Sequence, residues 1–310
     1  MSRLRSGTST LVVCLALVYV LWGSTYLAIR VAIDGLPPLL LSAIRNLTAG
    51  VLLFAWLKWR GAPWPTLRQW RNGALIGFMM MSIGNGFVCL AERSVPTGLA
   101  ALVVGAAPVF GILFGWGFGT RPRALEWVGV ALGFAGVALL NLDLRAAASP
   151  GAVGLLVIAT ASWSLATVLQ RRLDMPVRNS APVQMLGGGA SLTVMAALHG
   201  EHLPAHVPLR SWLALAYLVV FGSIVAYSAF VYVINHSRPS MATSYAYVNP
   251  VVAVGLGALF LDEHVTWPLV AAMGVILGGV ALVVLGNARP GKLPGAATPP
   301  RTARWIASRR

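Results

Sequence analysis

The sequence predicts an all-α membrane protein, with ten transmembrane helices arranged as two inverted five-helix repeats. Three observations lead there. Hydrophobic residues make up 57% of the 310 positions and charged residues only 10%, against roughly 25% charged in a soluble domain. The apolar residues gather into runs close to the roughly 20 that a spanning helix needs. Short segments of the second half also echo the first at a nearly constant offset. The net charge of +15 does not make the chain a nucleic-acid binder. Its basic residues sit between the apolar runs, as cytoplasmic loop charges do. A lipid bilayer is the expected surrounding and no nucleic-acid partner is expected.

Charge, proline and glycine separate ten runs: 10–29, 39–57, 72–91, 97–118, 126–142, 152–170, 182–198, 211–234, 240–261 and 267–286. The first follows Arg3 and Arg5, as a signal peptide would. No small-residue cleavage site follows, however, and the apolar stretch continues to Ile29, which suits a spanning helix. The third and fourth runs are joined by the tight link Glu92 to Pro96, and the fifth and seventh are short. With the N-terminus in the cytoplasm, eighteen Lys and Arg fall in loops and tails on that side. Four fall opposite: Arg30, Arg93, Arg145 and Arg210. That bias places both termini inside and requires an even number of helices.

The chain therefore divides into a cytoplasmic N-terminus (1–9), a first five-helix unit (10–142), a second (152–286) and a basic tail (287–310). The tail is rich in Pro, Gly, Ala and Thr, and its expected state is disorder. It either rests on the anionic inner leaflet, at about 1 kcal/mol per basic residue, or has no role. Cys14 and Cys89 lie within apolar runs and read as buried thiols rather than a disulfide.

The repeat shows in three helix pairs. Ala107-Pro108-Val109 in helix 4 is echoed by Asn249-Pro250-Val251 in helix 9. Gly136-Val137-Ala138-Leu139 returns as Gly279-Val280-Ala281-Leu282, and Trp22 falls opposite Trp163. Five helices is an odd number, so the second unit enters the membrane from the opposite side. Such inverted repeats are a hallmark of transporters, whose halves expose a midplane site alternately to each side.

Trp22-Gly23-Ser24, Arg45 with Ala49-Gly50, Ala107-Pro108-Val109-Phe110, Asn249-Pro250-Val251 and Asp262-Glu263, in this order and spacing, resemble the drug/metabolite transporter superfamily. The likeness is to its ten-helix branch with two EamA domains, among metabolite and drug exporters, and spans roughly residues 10–286. It implies a multi-pass carrier of the bacterial inner membrane, often an exporter of amino acids, metabolites or toxic compounds. It also implies a central cavity lined by helices 1, 3, 4, 6, 8 and 9. Two departures stand out. Thr120-Arg121 follow helix 4 where an acidic pair follows helix 9, and no carboxylate lies between Leu11 and Ile33. The first-helix glutamate through which small four-helix relatives couple to protons is thus missing.

The expected substrate-binding set is Trp22, Ser24, Asn85, Trp163, Tyr227, Ser244, Tyr245 and Asn249. Asn85 lies between Gly84 and Gly86, where bare backbone admits a close neighbour. Tyr227 holds the corresponding place in helix 8, and helix 9 supplies hydroxyl and amide groups before Pro250. Such groups either bind a polar ligand in a cavity or tie helices together. Pro108 and Pro250, at matched mid-helix positions, read as hinges or as tolerated kinks. Arg45 is the charge that lies deep in a predicted helix. It is either an anchor for helix packing or a contact to substrate or gate, and lies near enough to the helix end to snorkel. Its counterpart in the second repeat is Gln184. Gly111 and Gly115 suit close helix packing, with dimer contact as the minority option, so a monomer or homodimer is expected.

His199, His202 and His206 read as surface loop residues rather than metal ligands, and Trp56, Trp59, Trp64, Trp70, Trp127 and Trp212 as an interfacial belt. No cofactor or metal is expected, and no Gly-x-x-x-x-Gly-Lys loop points to direct drive by ATP. The expected function is secondary transport of small organic solutes. The alternative is a membrane-embedded enzyme acting on lipid or isoprenoid substrates. That would need carboxylates or histidines clustered near one face, and no such cluster or nucleophile–base pair is visible.

Overall fold

The computed structural model describes residues 2–119, 122–143, 149–176, 179–236 and 245–287. Ser244 and the tail beyond Asn287 lie outside the described residues. Among the described residues ten helices follow one another: α1 (Ser2–Ile33), α2 (Pro38–Trp59), α3 (Leu67–Ala91), α4 (Thr97–Gly117, interrupted at Ala106), α5 (Ala124–Asp143), α6 (Pro150–Gln170), α7 (Ser180–Leu198), α8 (Leu209–His236), α9 (Tyr245–Phe260) and α10 (Trp267–Asn287). Among the described residues, seven helices are long and apolar enough to cross a membrane, and α5, α9 and α10 contain shorter apolar stretches.

The helix ends follow local chemistry. Pro38 opens α2 from its first turn and Pro150 opens α6, where the Ser149 hydroxyl accepts from the Ala152 amide. α3 begins earlier than hydropathy suggests, at Leu67 instead of position 72. Thr66 and Gln69 form a reciprocal capping box there, so a polar first turn is helical. α2 and α7 end alike. Gly61 and Gly200 take φ of +74° and +71°, and the next amide reaches back five residues, Ala62 to Leu57 and Glu201 to Ala196, each at 2.9 Å. This is the Schellman close that glycine permits, at matched places in both repeats.

Packing obeys the internal symmetry. α3 lies on α6 and α7, as α8 lies on α1 and α2. α1 lies on α9, as α6 lies on α4. The pairs α2–α7, α4–α9 and α5–α10 are their own images. The two units are thus interleaved rather than side by side. In addition, α3 (Phe78–Gly86) and α8 (Leu218–Val225) each widen into a π-helical segment at matched positions. The large apolar side chains left uncovered, such as Val12, Leu52, Leu198 and Leu259, face outward, as a lipid solvent allows.

At the end of the bundle that carries the α1–α2, α3–α4, α7–α8 and α9–α10 links, carboxylates of the second repeat cap helices of the first. Glu201 accepts from the Leu40 amide of α2 at 2.8 Å. Glu263 accepts from the Thr97 amide (2.8 Å) and hydroxyl (2.9 Å) at the start of α4. Each carboxylate satisfies N–H groups that a helix start leaves without partners, at its positive end.

Candidate functional site: a cavity between the repeats

A cavity, partly open to its surroundings, lies between the two units. Its walls come from α1 (Trp22, Tyr26), α3 (Gly84, Asn85), α6 (Thr160, Trp163), α8 (Gly222, Tyr227) and α9 (Tyr245, Asn249). α4 contributes Val104. α2 and α7 also reach it, through Arg45, Asn46 and Met185, so the lining extends beyond the six helices that the resemblance implies.

The aromatic wall is built at the symmetry axis. Trp22 and Trp163, matched residues of α1 and α6, meet edge to face with centroids 5.8 Å apart, and Tyr245 meets Trp22 edge to face at 5.2 Å. Edge-to-face pairing suits the ring quadrupoles. Each indole also leans on the π-helical segment nearest it. Trp22 Nε1 donates to the Gly222 carbonyl at 3.1 Å. Trp163 lies so close to Gly84 that a Cβ there would sit 3.1 Å from its ring. Widened turns at both contacts are in keeping with the frequent occurrence of π segments at functional sites.

The polar groups are unevenly shared. Arg45 is 6% exposed. Its Nε donates to Ser223 Oγ at 2.8 Å and its Nη1 to Asn85 Oδ1 at a loose 3.4 Å. It does not snorkel; it ties α2 to α8 and also faces the cavity. Its counterpart Gln184 is fully buried. The Gln184 amide nitrogen donates to Gln170 (3.1 Å) and Ser180 (2.9 Å), and its oxygen accepts from the Tyr227 hydroxyl. Asn249, with its amide nitrogen toward the main chain, donates to the carbonyls of Tyr19 and Tyr245 at 3.2 Å each, bridging α1 and α9.

Of the sequence-predicted site residues, Trp22, Arg45, Asn85, Trp163, Tyr227, Tyr245 and Asn249 come together around the cavity. Ser24 is not among the lining residues; its hydroxyl pairs with that of Tyr217 at 2.7 Å and with the Leu21 carbonyl. Ser244 lies outside the described residues. Pro108 stands in the first turn after the break at Ala106, whereas Pro250 lies inside the continuous α9. The two matched prolines thus sit in different local structures. Sequence reasoning missed Tyr26 and Ser223. Tyr26 is one helical turn from Trp22, a spacing that puts both on one face, and Ser223 carries no mark of its own.

Glu92 was also missed. It reads as a loop residue, yet it is completely buried and neither carboxylate oxygen has a hydrogen-bond partner. Arg30 donates to its main-chain carbonyl at 2.6 Å and leaves the carboxyl alone. Burial first, then the charge of Glu263, push this carboxyl well above the usual carboxylate range, against the pull of Arg30 and Arg45. Among the described residues no group of His, Cys, Asp or Glu is arranged to hold a metal ion.

Comparison with known proteins agrees with this architecture. The EamA-like transporter family matches twice, over residues 10–142 and 151–285. The inner membrane transporter YedA of Escherichia coli is 43% identical over 87% of this chain and 89% of its own length. A probable amino-acid metabolite efflux pump of the same species is 24% identical over 87% and 93%. Protein PecM of Dickeya dadantii is 27% identical over 85% and 88%. A solved crystal structure, 22% identical, superposes with a TM-score of 0.64 over 91% of this chain and 99% of the other, a likeness of fold. With two matches covering most of its length, the chain belongs to the EamA-like transporter family.

Proposed function

We propose that this chain is a secondary transporter of the bacterial inner membrane that exports small organic solutes by exposing the central cavity to one side and then the other. The observation that carries this reading is the cavity itself. It lies between the repeats, and matched tryptophans of both units form its aromatic wall. The interleaved packing suggests which bodies move. α1 holds α8 and α9, while α6 holds α3 and α4, so each body mixes helices of both repeats. Pro250 within α9 and Pro108 beside the break in α4 are placed to bend within those bodies. The inner-membrane location and outward direction draw on what the YedA and efflux-pump relatives are named for. Both termini are assigned to the cytoplasm on the loop charges.

The test is counterflow in proteoliposomes with a panel of labelled amino acids, organic acids and cationic dyes. Transport of at least one solute, reduced about tenfold or more by Asn249→Ala combined with Tyr245→Phe, is expected. Transport insensitive to the pair would move the site out of this cavity. For orientation, Arg60→Cys and His202→Cys in a background lacking Cys14 and Cys89 place single thiols in the α2–α3 and α7–α8 links. An impermeant maleimide should reach the second in intact cells and the first only after permeabilisation.

A further inference from the structure

The polar lining of the cavity narrows the solute. Arg45 is the one charged residue among those that line it, and a guanidinium keeps its charge. Two of its donors are engaged, by Ser223 and loosely by Asn85. No carboxylate among the described residues forms an ion pair with it. Glu92, although within electrostatic reach, makes no hydrogen bond to it. The Nη2 side lies against Gly222, where an added Cβ would come within 3.0 Å. A side chain at that position would crowd Nη2, which makes no hydrogen bond among the described residues. A cation left without a counter-charge in this setting is held for a partner that comes and goes.

We propose that the cavity takes an organic monoanion, a carboxylate on an apolar or aromatic body, with Arg45 holding the carboxylate and the Trp22–Trp163–Tyr245 wall holding the body. This rests on the cavity being the transport site. The fork of the guanidinium matches a carboxylate, and the edge-to-face rings supply an apolar surface at the symmetry axis. Among the described residues, no acidic side chain lines the cavity to receive an ammonium group. A monoanion leaves the loaded cavity neutral, whereas a zwitterion brings in a positive charge that lacks a carboxylate partner.

The experiment measures binding to the purified full-length protein in detergent by isothermal titration calorimetry. The probes are 3-phenylpropionate, its primary amide and phenylalanine, with indole-3-propionate and its amide as a larger pair. The acids are expected to bind about tenfold or more tightly than their amides, a difference typical of a charge-assisted contact, and 3-phenylpropionate more tightly than phenylalanine. Arg45→Met should abolish the difference between acid and amide. Because Arg45 also joins α2 to α8, Asn85→Asp is the second variant. It places a nearly isosteric carboxylate where Asn85 Oδ1 already faces Nη1. It should keep the thermal transition and bring acid binding down to that of the amide.

Equal binding of acid and amide in the wild type would overturn the inference. So would a tenfold preference that survives Asn85→Asp, tighter binding of phenylalanine than of 3-phenylpropionate, or no binding of any probe. None of these touches the transport-site reading, which fails separately if counterflow ignores Asn249→Ala with Tyr245→Phe.

Discussion

Arg45 and Gln184 hold the same place in the second helix of their repeats, yet their surroundings differ. Arg45 is charged, uses few of its donors and borders open space. Gln184 is neutral, fully buried and bonded through both oxygen and nitrogen. The helix crossings explain the difference. Where α3 passes α7, Gly77 brings backbone against backbone. A Cβ there would lie 2.0 Å from the Gln184 carbonyl oxygen and 2.8 Å from the Gly188 amide nitrogen. On the register that pairs Asn85 with Tyr227, Val219 occupies the matched place in α8, and its side chain is packed in the core. A backbone-tight crossing leaves no room for a cavity, whereas one spaced by side chains leaves space for the guanidinium and for the cavity beside it. The shared repeat builds the frame, and the cavity lies where the halves depart from each other.

The sharpest way to break this comparison is Gly77→Ala. Alanine favours a helix over glycine by about 0.5–1 kcal/mol, but a methyl group overlapping main chain is expected to cost about 3 kcal/mol or more. Purified protein should show a large fall in melting temperature or fail to accumulate. Gly111→Ala, with nothing within 4 Å, should be neutral or slightly stabilising.

Gln184→Leu strands the Tyr227 hydroxyl and the Gln170 and Ser180 side chains, at about 1–3 kcal/mol in thermal unfolding. Ser223→Ala, on the open side, should cost about 1 kcal/mol or less, because cavity water replaces the lost acceptor. Equal losses at the two sites would end the distinction between closed and open halves.

The Glu92 prediction concerns pH. Its carboxyl is raised in the folded state above the roughly 4.3 of an unfolded chain, so the native protein holds this proton more tightly. That contribution is complete below the unfolded pKa and is lost as pH rises through the folded one. Melting temperatures of wild type should fall from pH 5 towards pH 9, and Glu92→Gln should flatten the slope. A slope unchanged by the substitution would mean that another group carries it. The smallest effect is expected for Arg210→Ala. Its ion pair with Asp34 joins half-exposed side chains and should be worth under about 1 kcal/mol, near the resolution of a melting curve.

The frame was legible in the sequence because its causes are local in the chain. Apolar runs make spans, loop arginines set an alternation, and Trp22 and Trp163 announce a repeat whose axis then brings them into contact. Several cavity-lining residues were legible for the same reason, as polar or aromatic side chains inside apolar helices. What could not be read depends on how helices approach. The π-helical turns of α3 and α8 have no residue signature in a single chain. Arg45 counted only six residues from its helix end, but α8 packs over it, so it is held inside the bundle by Ser223 instead of reaching out to the interface. Glu92 sits in a link of four or five residues whose burial is set by α1 and the α9–α10 connection. α3 began early because Arg68, Gln69 and Arg71 read as loop by hydropathy, although Thr66 and Gln69 together carry the signature of a helix start.

The carboxylate caps reaching from the second repeat into the first also bear on biogenesis. During synthesis α2 and α4 are threaded into the bilayer well before Glu201 and Glu263 exist to satisfy their leading amides. The early product therefore leaves the insertion machinery with ragged helix starts and must wait, unfinished, for the later half to arrive. A fragment that stops after five helices lacks both of these carboxylates, so the starts of α2 and α4 are completed only once the second half has been made.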